Sequence, residues 1–306
     1  MIFTTLLERI IPLYILVFAG FIAGRYLHAK RETIASLLIY IIVPAVVFTN
    51  VLQVKINIQY LSLPVLFYCI CSTMCVFFWR LTKRMWPTGP LSNLTGFAAG
   101  NANTGYFGLP VAMQLFGPDV VGVAVFFFVG FILYENSVGF YVAARGKNSA
   151  RESIRRLLKI PTIYAFTIGV FLNFVGVQLP EVFHGLAINF RGAYSVLGMM
   201  LIGVGVSQIE KLQIDWKFLI TTHVAKFLAW PIVIGTIVFV DSLFFHLYSQ
   251  QTHQIMILMA STPMAANTVA FATELKIEPD KAALAVLVST IVALFFIPFM
   301  TVNFMQ

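Results

Sequence analysis

Two short stretches place residues able to hold an anion inside otherwise apolar sequence. The first carries Asn101, Asn103, Thr104, Gly105 and Gly108 ahead of Pro110; the second carries Ser261, Thr262, Pro263, Asn267 and Thr268. Proline has no N–H and clashes with the carbonyl four residues back, so it opens a helix when it stands inside one. At the start of a half-helix it is tolerated, because that position has no intrahelical partner to lose. Half-helices beginning near Pro110 and Pro263 would aim unpaired amides and positive dipole ends at one point, where a carboxylate is held well. Asn103 and Asn267, flanked by Thr104 and Thr268, add side-chain donors and acceptors. The expected anion site is therefore Asn103, Thr104, Gly108, Pro110, Thr262, Pro263, Asn267 and Thr268, with Lys226 as a basic neighbour. Lys226 and Glu135 are ionisable residues in apolar surroundings, a placement that usually faces a cavity or a partner. In one reading Lys226 lends positive charge near the anion and Glu135 titrates or pairs with it, coupling the anion to protons. In the other the two form a static pair, or Glu135 extends to a nearby interface.

The elements that must position these residues are membrane helices. Hydrophobic residues make up 59% of the 306 residues and charged ones 10%, with a mean hydropathy of +0.89. So few charges cannot cover a soluble globule of this size. A bilayer crossing needs roughly 20 mainly apolar residues, and ten segments qualify: 6–27, 33–52, 60–80, 91–116, 118–143, 161–179, 190–209, 216–240, 251–274 and 281–303. The first lacks the basic start of a signal peptide and carries Glu8 and Arg9, so it reads as a retained helix.

Charge placement sets the sides. Of the 20 Lys and Arg residues, all but Arg9, Lys55, Arg191 and Lys226 lie in the links after spans 1, 3, 5, 7 and 9. That asymmetry assigns those links to the cytoplasm and both termini to the outside of a cell (inner) membrane. The net charge of +8 therefore reports orientation and not a nucleic-acid partner. The link 144–160 holds six basic residues, and Ile154, Leu157 and Leu158 among them suggest a short helix lying on the membrane surface. It divides the chain into residues 1–143 and 161–306, five spans each. An odd number per half forces the halves into opposite orientation, the arithmetic of an inverted repeat. Pro110 and Pro263 fall half a chain length apart, each in the fourth span of its five. Paired interruptions of this kind mark a transporter site.

The remaining candidates are weaker. Cys69, Cys71 and Cys75 lie in one apolar stretch without an accompanying histidine, and read as packed or lipid-facing thiols. His223 and His253 have no neighbour at metal-ligand spacing and read as local hydrogen-bonding residues; no metal or cofactor is expected. Gly20 and Gly24 hint at close helix packing. Gly203 and Gly205 do not form a nucleotide fingerprint.

At these residues the chain resembles the auxin efflux carrier family. Asn103, Thr104, Gly108 and Pro110 are similar to its fourth-helix pattern, and Pro263, Phe271, Ala272, Glu274, Pro279 and Asp280 to its ninth-helix signature. Lys226, Phe227 and Pro231 resemble its eighth-helix basic residue and proline, and Pro44 a second-helix proline. The resemblance implies an all-α polytopic fold of ten helices in a 5+5 inverted repeat, with broken helices 4 and 9 crossing at their prolines. It also implies a scaffold of helices 1, 2, 6 and 7 that forms homodimers. The other six helices, 3–5 and 8–10, would move as an elevator carrying a small carboxylate such as a malate-like or auxin-like acid. The chain departs from the plant members in lacking an acidic residue in helix 3 and in its short central loop.

Two other classes compete. A cation/proton antiporter, or a bile-acid-symporter-like carrier, would share the crossed-helix architecture, but an exchanger needs carboxylates at the crossing and spans 4 and 9 have none near their prolines. An intramembrane enzyme using Glu135, Lys226 or His223 would need a motif that is missing: there is no His-Glu-x-x-His and no serine elbow.

Overall fold

A computed structural model describes residues 2–87, 90–144, 151, 155, 158–208 and 214–304. Among the described residues every regular element is helical. In chain order they are α1 (Ile2–Tyr26), α2 (Arg31–Gln53), α3 (Ile58–Thr82), α4 (Leu91–Gly100), α5 (Leu109–Phe116), α6 (Pro118–Ala143), α7 (Pro161–Phe174), α8 (Glu181–Ser207), α9 (Trp216–Phe245), α10 (Gln250–Ser261), α11 (Asn267–Leu275) and α12 (Pro279–Phe304). Seven of them, α1, α2, α3, α6, α8, α9 and α12, are long and apolar enough to cross a membrane. The expected fourth span is divided into α4 and α5, and the ninth into α10 and α11. The expected sixth span stops early, at Phe174, because Gly176 takes a left-handed φ of 82° and turns the chain. The seventh begins earlier than expected, at Glu181. Most of the proposed surface helix, including Ile154 and Leu157, lies outside the described residues.

Wide π-type turns interrupt several helices, and three of them have a common cause. Leu38–Ile42, Thr104–Gly108 and Ala225–Ala229 each end two residues before a proline: Pro44, Pro110 and Pro231. A proline withholds its N–H and crowds the preceding carbonyls, so the turn before it widens. A fourth wide turn, Glu135–Gly139 in α6, has no proline behind it. There Asn136 Nδ2 donates to the Ile132 carbonyl (3.0 Å) and Ser137 Oγ to that of Leu133 (2.5 Å), competing with the helical ladder. The wide turns matter because they carry Thr104, Glu135 and Lys226.

Side chains of α6 are mostly enclosed by the other helices, whereas α9 presents most of its surface outward. Phe67 of α3 and Phe127 of α6 meet edge to face, with centroids 4.8 Å apart. Cys71 and Cys75 are buried where α3 meets α4; the carbonyls of both lie against α4 glycines, and Cys69 is exposed. The tightest packing joins α1 to α8. A Cβ at Gly20 would fall on the Met200 backbone, and one at Gly203 on the Val17 carbonyl. The close contact expected at Gly20 and Gly24 is thus made within the chain, to α8. Gly203→Leu has no rotamer that avoids backbone, so it should destabilise by about 1–3 kcal/mol or more. A lowered thermal midpoint in detergent checks this; an unchanged one would mean that the helices separate freely.

Candidate functional site

The two interruptions meet. After α4 the chain leaves helical geometry at Asn101, runs non-helical to Asn103 and re-enters through Thr104–Gly108, which leads into α5 with Pro110 in its first turn. After α10 it is non-helical from Thr262 and resumes at Asn267. Pro263 therefore lies in the connecting strand of backbone, upstream of the half-helix that it was expected to open. The Asn103 N–H donates to the Pro263 carbonyl at 2.9 Å, joining the two breaks directly.

Backbone groups freed by a break inside a membrane must find partners in protein or water, and several partners are present. The Gly108 N–H donates to the Asn103 carbonyl (2.8 Å), and the Met264 N–H to Ser289 Oγ (3.1 Å). Arg31, counted above as a charge in the first link, reaches inward from α2: its Nη2 donates to the Ala266 carbonyl at 2.8 Å.

Glu135 lies between the breaks. The wide turn in α6 directs its carboxylate to both: Asn101 Nδ2 donates to Oε1 at 3.1 Å and Asn267 Nδ2 to Oε2 at 3.2 Å. The side-chain oxygen of Asn101 accepts the next amide, from Ala102, at 2.9 Å, which fixes the orientation of its amide. Glu135 is buried. A cavity of about 480 Å³ opens beside this carboxylate. Asn101, Asn103, Thr104, Glu135 and Asn267 form its polar wall. Phe128, Phe131, Ile132 and Phe271 form an apolar one, and Lys159 and Glu274 lie at the exposed mouth near the start of α7. Asn103 Nδ2 and Thr104 Oγ1 are buried without a hydrogen-bond partner, as is Thr268 Oγ1. Such groups are uncommon in folded proteins, since each costs about 1–3 kcal/mol when left unpaired. Asn103 and Thr104 are among the residues that line the cavity.

The expected site is therefore assembled in part. Asn103, Thr104 and Asn267 line the cavity; Gly108, Pro110, Thr262, Pro263 and Thr268 shape the breaks without lining it. Lys226 does neither. It is fully buried in the Ala225–Ala229 turn, beside Cys71, with Nζ lacking a hydrogen-bond partner and lying 4.7 Å from the centroid of the Trp230 ring. Trp230 Nε1 in turn donates to the Ala99 carbonyl at 2.7 Å, at the end of α4. The Glu135–Lys226 pair is accordingly not formed: the turn before Pro231 directs the ammonium to an aromatic face, and the carboxylate takes amide partners instead. Asn101 was noted among the polar residues before Pro110 but was not placed in the expected site. The available signal was its place two residues before Asn103, since residues two apart in an extended segment point to the same side.

The two histidines are local hydrogen-bonding residues. His223 Nδ1 contacts the Leu219 carbonyl (2.7 Å), and His253 Nε2 contacts Asp241 Oδ2 (2.8 Å). Asp241 also accepts the Leu247 and Tyr248 N–H groups, both at 3.1 Å, which closes the turn between α9 and α10. Asp241→Ala should cost about 2–4 kcal/mol by leaving those amides unpaired, with little effect on ligand affinity. A thermal melt and a binding isotherm on the same sample separate the two.

A helical membrane protein whose two broken helices enclose a polar cavity has the form of a transport protein. The chain belongs to the family described as membrane transport protein, the auxin efflux carrier family, which it matches over residues 5–152 and 145–301. It is similar to an uncharacterised transporter of Methanothermobacter thermautotrophicus, 25% identical over 99% of both chains. It is also similar to an uncharacterised transporter of Methanocaldococcus jannaschii, 25% identical over 74% of this chain and 76% of that one. This protein is a multi-pass membrane transporter.

Proposed function

We propose that the protein is a secondary carrier of small organic anions, and that the anion's carboxylate is held where the two breaks meet. In this reading the Asn103 amide, the Thr104 hydroxyl and the amides at the start of α11 bind the carboxylate, while the phenylalanine wall receives the rest of the molecule. The observation that carries it is that Asn103 and Thr104, which line a cavity between two interrupted helices, hold the buried groups Nδ2 and Oγ1 without a hydrogen-bond partner. The wider architecture is part of the proposal. It comprises ten crossings in two opposed sets of five (residues 1–143 and 161–306), with residues 144–160 as the linker, in a cell inner membrane with both termini outside and the cavity mouth toward the cytoplasm. The first, second, sixth and seventh crossings form a dimeric scaffold, and the other six move past it as an elevator.

Flux of labelled carboxylates into proteoliposomes tests the site. Asn103→Ala combined with Asn267→Ala should reduce uptake at sub-saturating substrate by at least tenfold. Equal flux in the variant and the wild type would reject it.

One observation favours a second reading. A cation/proton antiporter needs a carboxylate at the crossing, and although the spans that carry the prolines have none near them, α6 supplies one, Glu135, bonded to both breaks. Proton-driven movement of sodium or potassium without any carboxylate dependence would select that reading.

A further inference from the structure

Glu135 is bonded to amides on both sides of the junction, with Asn101 preceding the first half-helix and Asn267 opening the second. Among the described residues no basic side chain is paired with it: Lys226 lies over Trp230, and Arg31 is bonded to the Ala266 carbonyl. The titratable and polar groups facing it or sharing its cavity include Asn101, Asn103, Thr104, Tyr106 and Asn267 at the two breaks, Tyr40 on α2 and Tyr134 and Asn136 on α6, with Lys159 and Glu274 exposed at the mouth.

An anion entering this cavity therefore approaches a carboxylate that, among the described residues, is paired with no cation. Two like charges a few ångströms apart in a medium of low dielectric repel strongly enough to reduce affinity by orders of magnitude. The amide that would best serve the incoming carboxylate, Asn267 Nδ2, is also engaged by Glu135. Both obstacles disappear if Glu135 is neutral.

We infer that Glu135 is the proton-coupling residue of the carrier: one proton binds its carboxylate for each monocarboxylate bound between Asn103 and Asn267. This rests on the anion-carrier reading and adds to it a co-substrate. The proton arrives from water at the mouth, forms an O–H bond on Oε2, and leaves the carboxyl group uncharged. Asn267 Nδ2 is released to the substrate carboxylate. One negative and one positive charge then cross together, so the cycle is electroneutral, and the proton departs when the substrate does.

The test is the pH dependence of binding, with phenylacetate as an aryl monocarboxylate suited to the phenylalanine wall and malate as a dicarboxylate, measured by calorimetry on the purified full chain between pH 5.5 and 9. For the wild type the phenylacetate Kd should rise about tenfold per pH unit over the upper part of that range, the slope of one linked proton. Buffers of different ionisation heat should report uptake of up to one proton per ligand. Glu135→Gln, which keeps the size of the side chain, should bind with a Kd independent of pH, and Glu274→Gln should retain the wild-type slope. A flat profile in the wild type, a slope that survives in Glu135→Gln, or an affinity that follows sodium in place of pH overturns the inference and leaves the carrier reading standing. Absence of binding by both acids at every pH counts against the carrier reading itself. Proton uptake on the wild type alone decides the point if Glu135→Gln does not fold.

Discussion

Asn103→Ala should weaken carboxylate binding about 10- to 100-fold while leaving the unliganded protein as stable as before, or slightly more so. The two effects have one origin. Asn103 Nδ2 is buried and has no partner in the protein, so truncation removes a desolvated donor and relieves a cost of about 1 kcal/mol or more. Bound to a carboxylate, the same amide forms a charge-assisted hydrogen bond worth about 1.5–3 kcal/mol, which corresponds to the expected change in Kd. The backbone bond from Asn103 to Pro263 does not depend on the side chain and keeps the junction in place. Asn267→Ala is a poorer single test, because Asn267 also bonds Glu135 and its loss alters the carboxylate. A ligand isotherm and a thermal melt of Asn103→Ala provide the check. A fall in stability with unchanged affinity would assign Asn103 to the scaffold and remove it from the site.

The second large effect is expected at Lys226, and in the opposite direction for stability. An ammonium taken out of water carries an effective penalty of several kcal/mol, and the Trp230 face returns about 2 kcal/mol of it. No hydrogen bond supplies the remainder. Lys226→Met keeps the length and volume of the side chain, so it should stabilise the protein by about 1–3 kcal/mol, read as a rise of a few degrees in the thermal midpoint. If the variant also transports normally, Lys226 has no part in the cycle. If it is more stable but slower, the strain belongs to function, a trade that buried charges at working sites often make. A lower midpoint would show that the cation–π contact outweighs burial at this position.

Much of the arrangement was legible in the sequence because its causes are local. The run of small and amide residues before Pro110 announces a break, whereas proline by itself does not locate the wide turns: they precede Pro44, Pro110 and Pro231, while Pro12, Pro64 and Pro298 stand inside continuous helices. Gly20 and Gly24 were recognisable as a close-packing face, although not as the partners of Met200 and Ser207 on α8.

Pairing across the chain was not legible. Glu135 and Lys226 looked like natural partners, as the acid and base left inside apolar sequence, yet they are separated by the direction each wide turn gives its side chain. One turns to the amides of Asn101 and Asn267, the other to an indole. Arg31 read as an orientation charge, and in the fold it satisfies a carbonyl freed at the second break.

The sequence by itself determined that this is a membrane protein, where its helices break and which polar residues lie at the breaks, because hydropathy, proline and glycine act within a few residues of themselves. Only the tertiary structure decided that the two breaks touch, that α6 brings a carboxylate between them, and that Lys226 stays outside. The reason is that hydrogen bonds at a junction depend on the rotation and depth of helices more than a hundred residues apart, and a one-residue change in the width of a turn redirects a side chain without altering the pattern that a sequence displays.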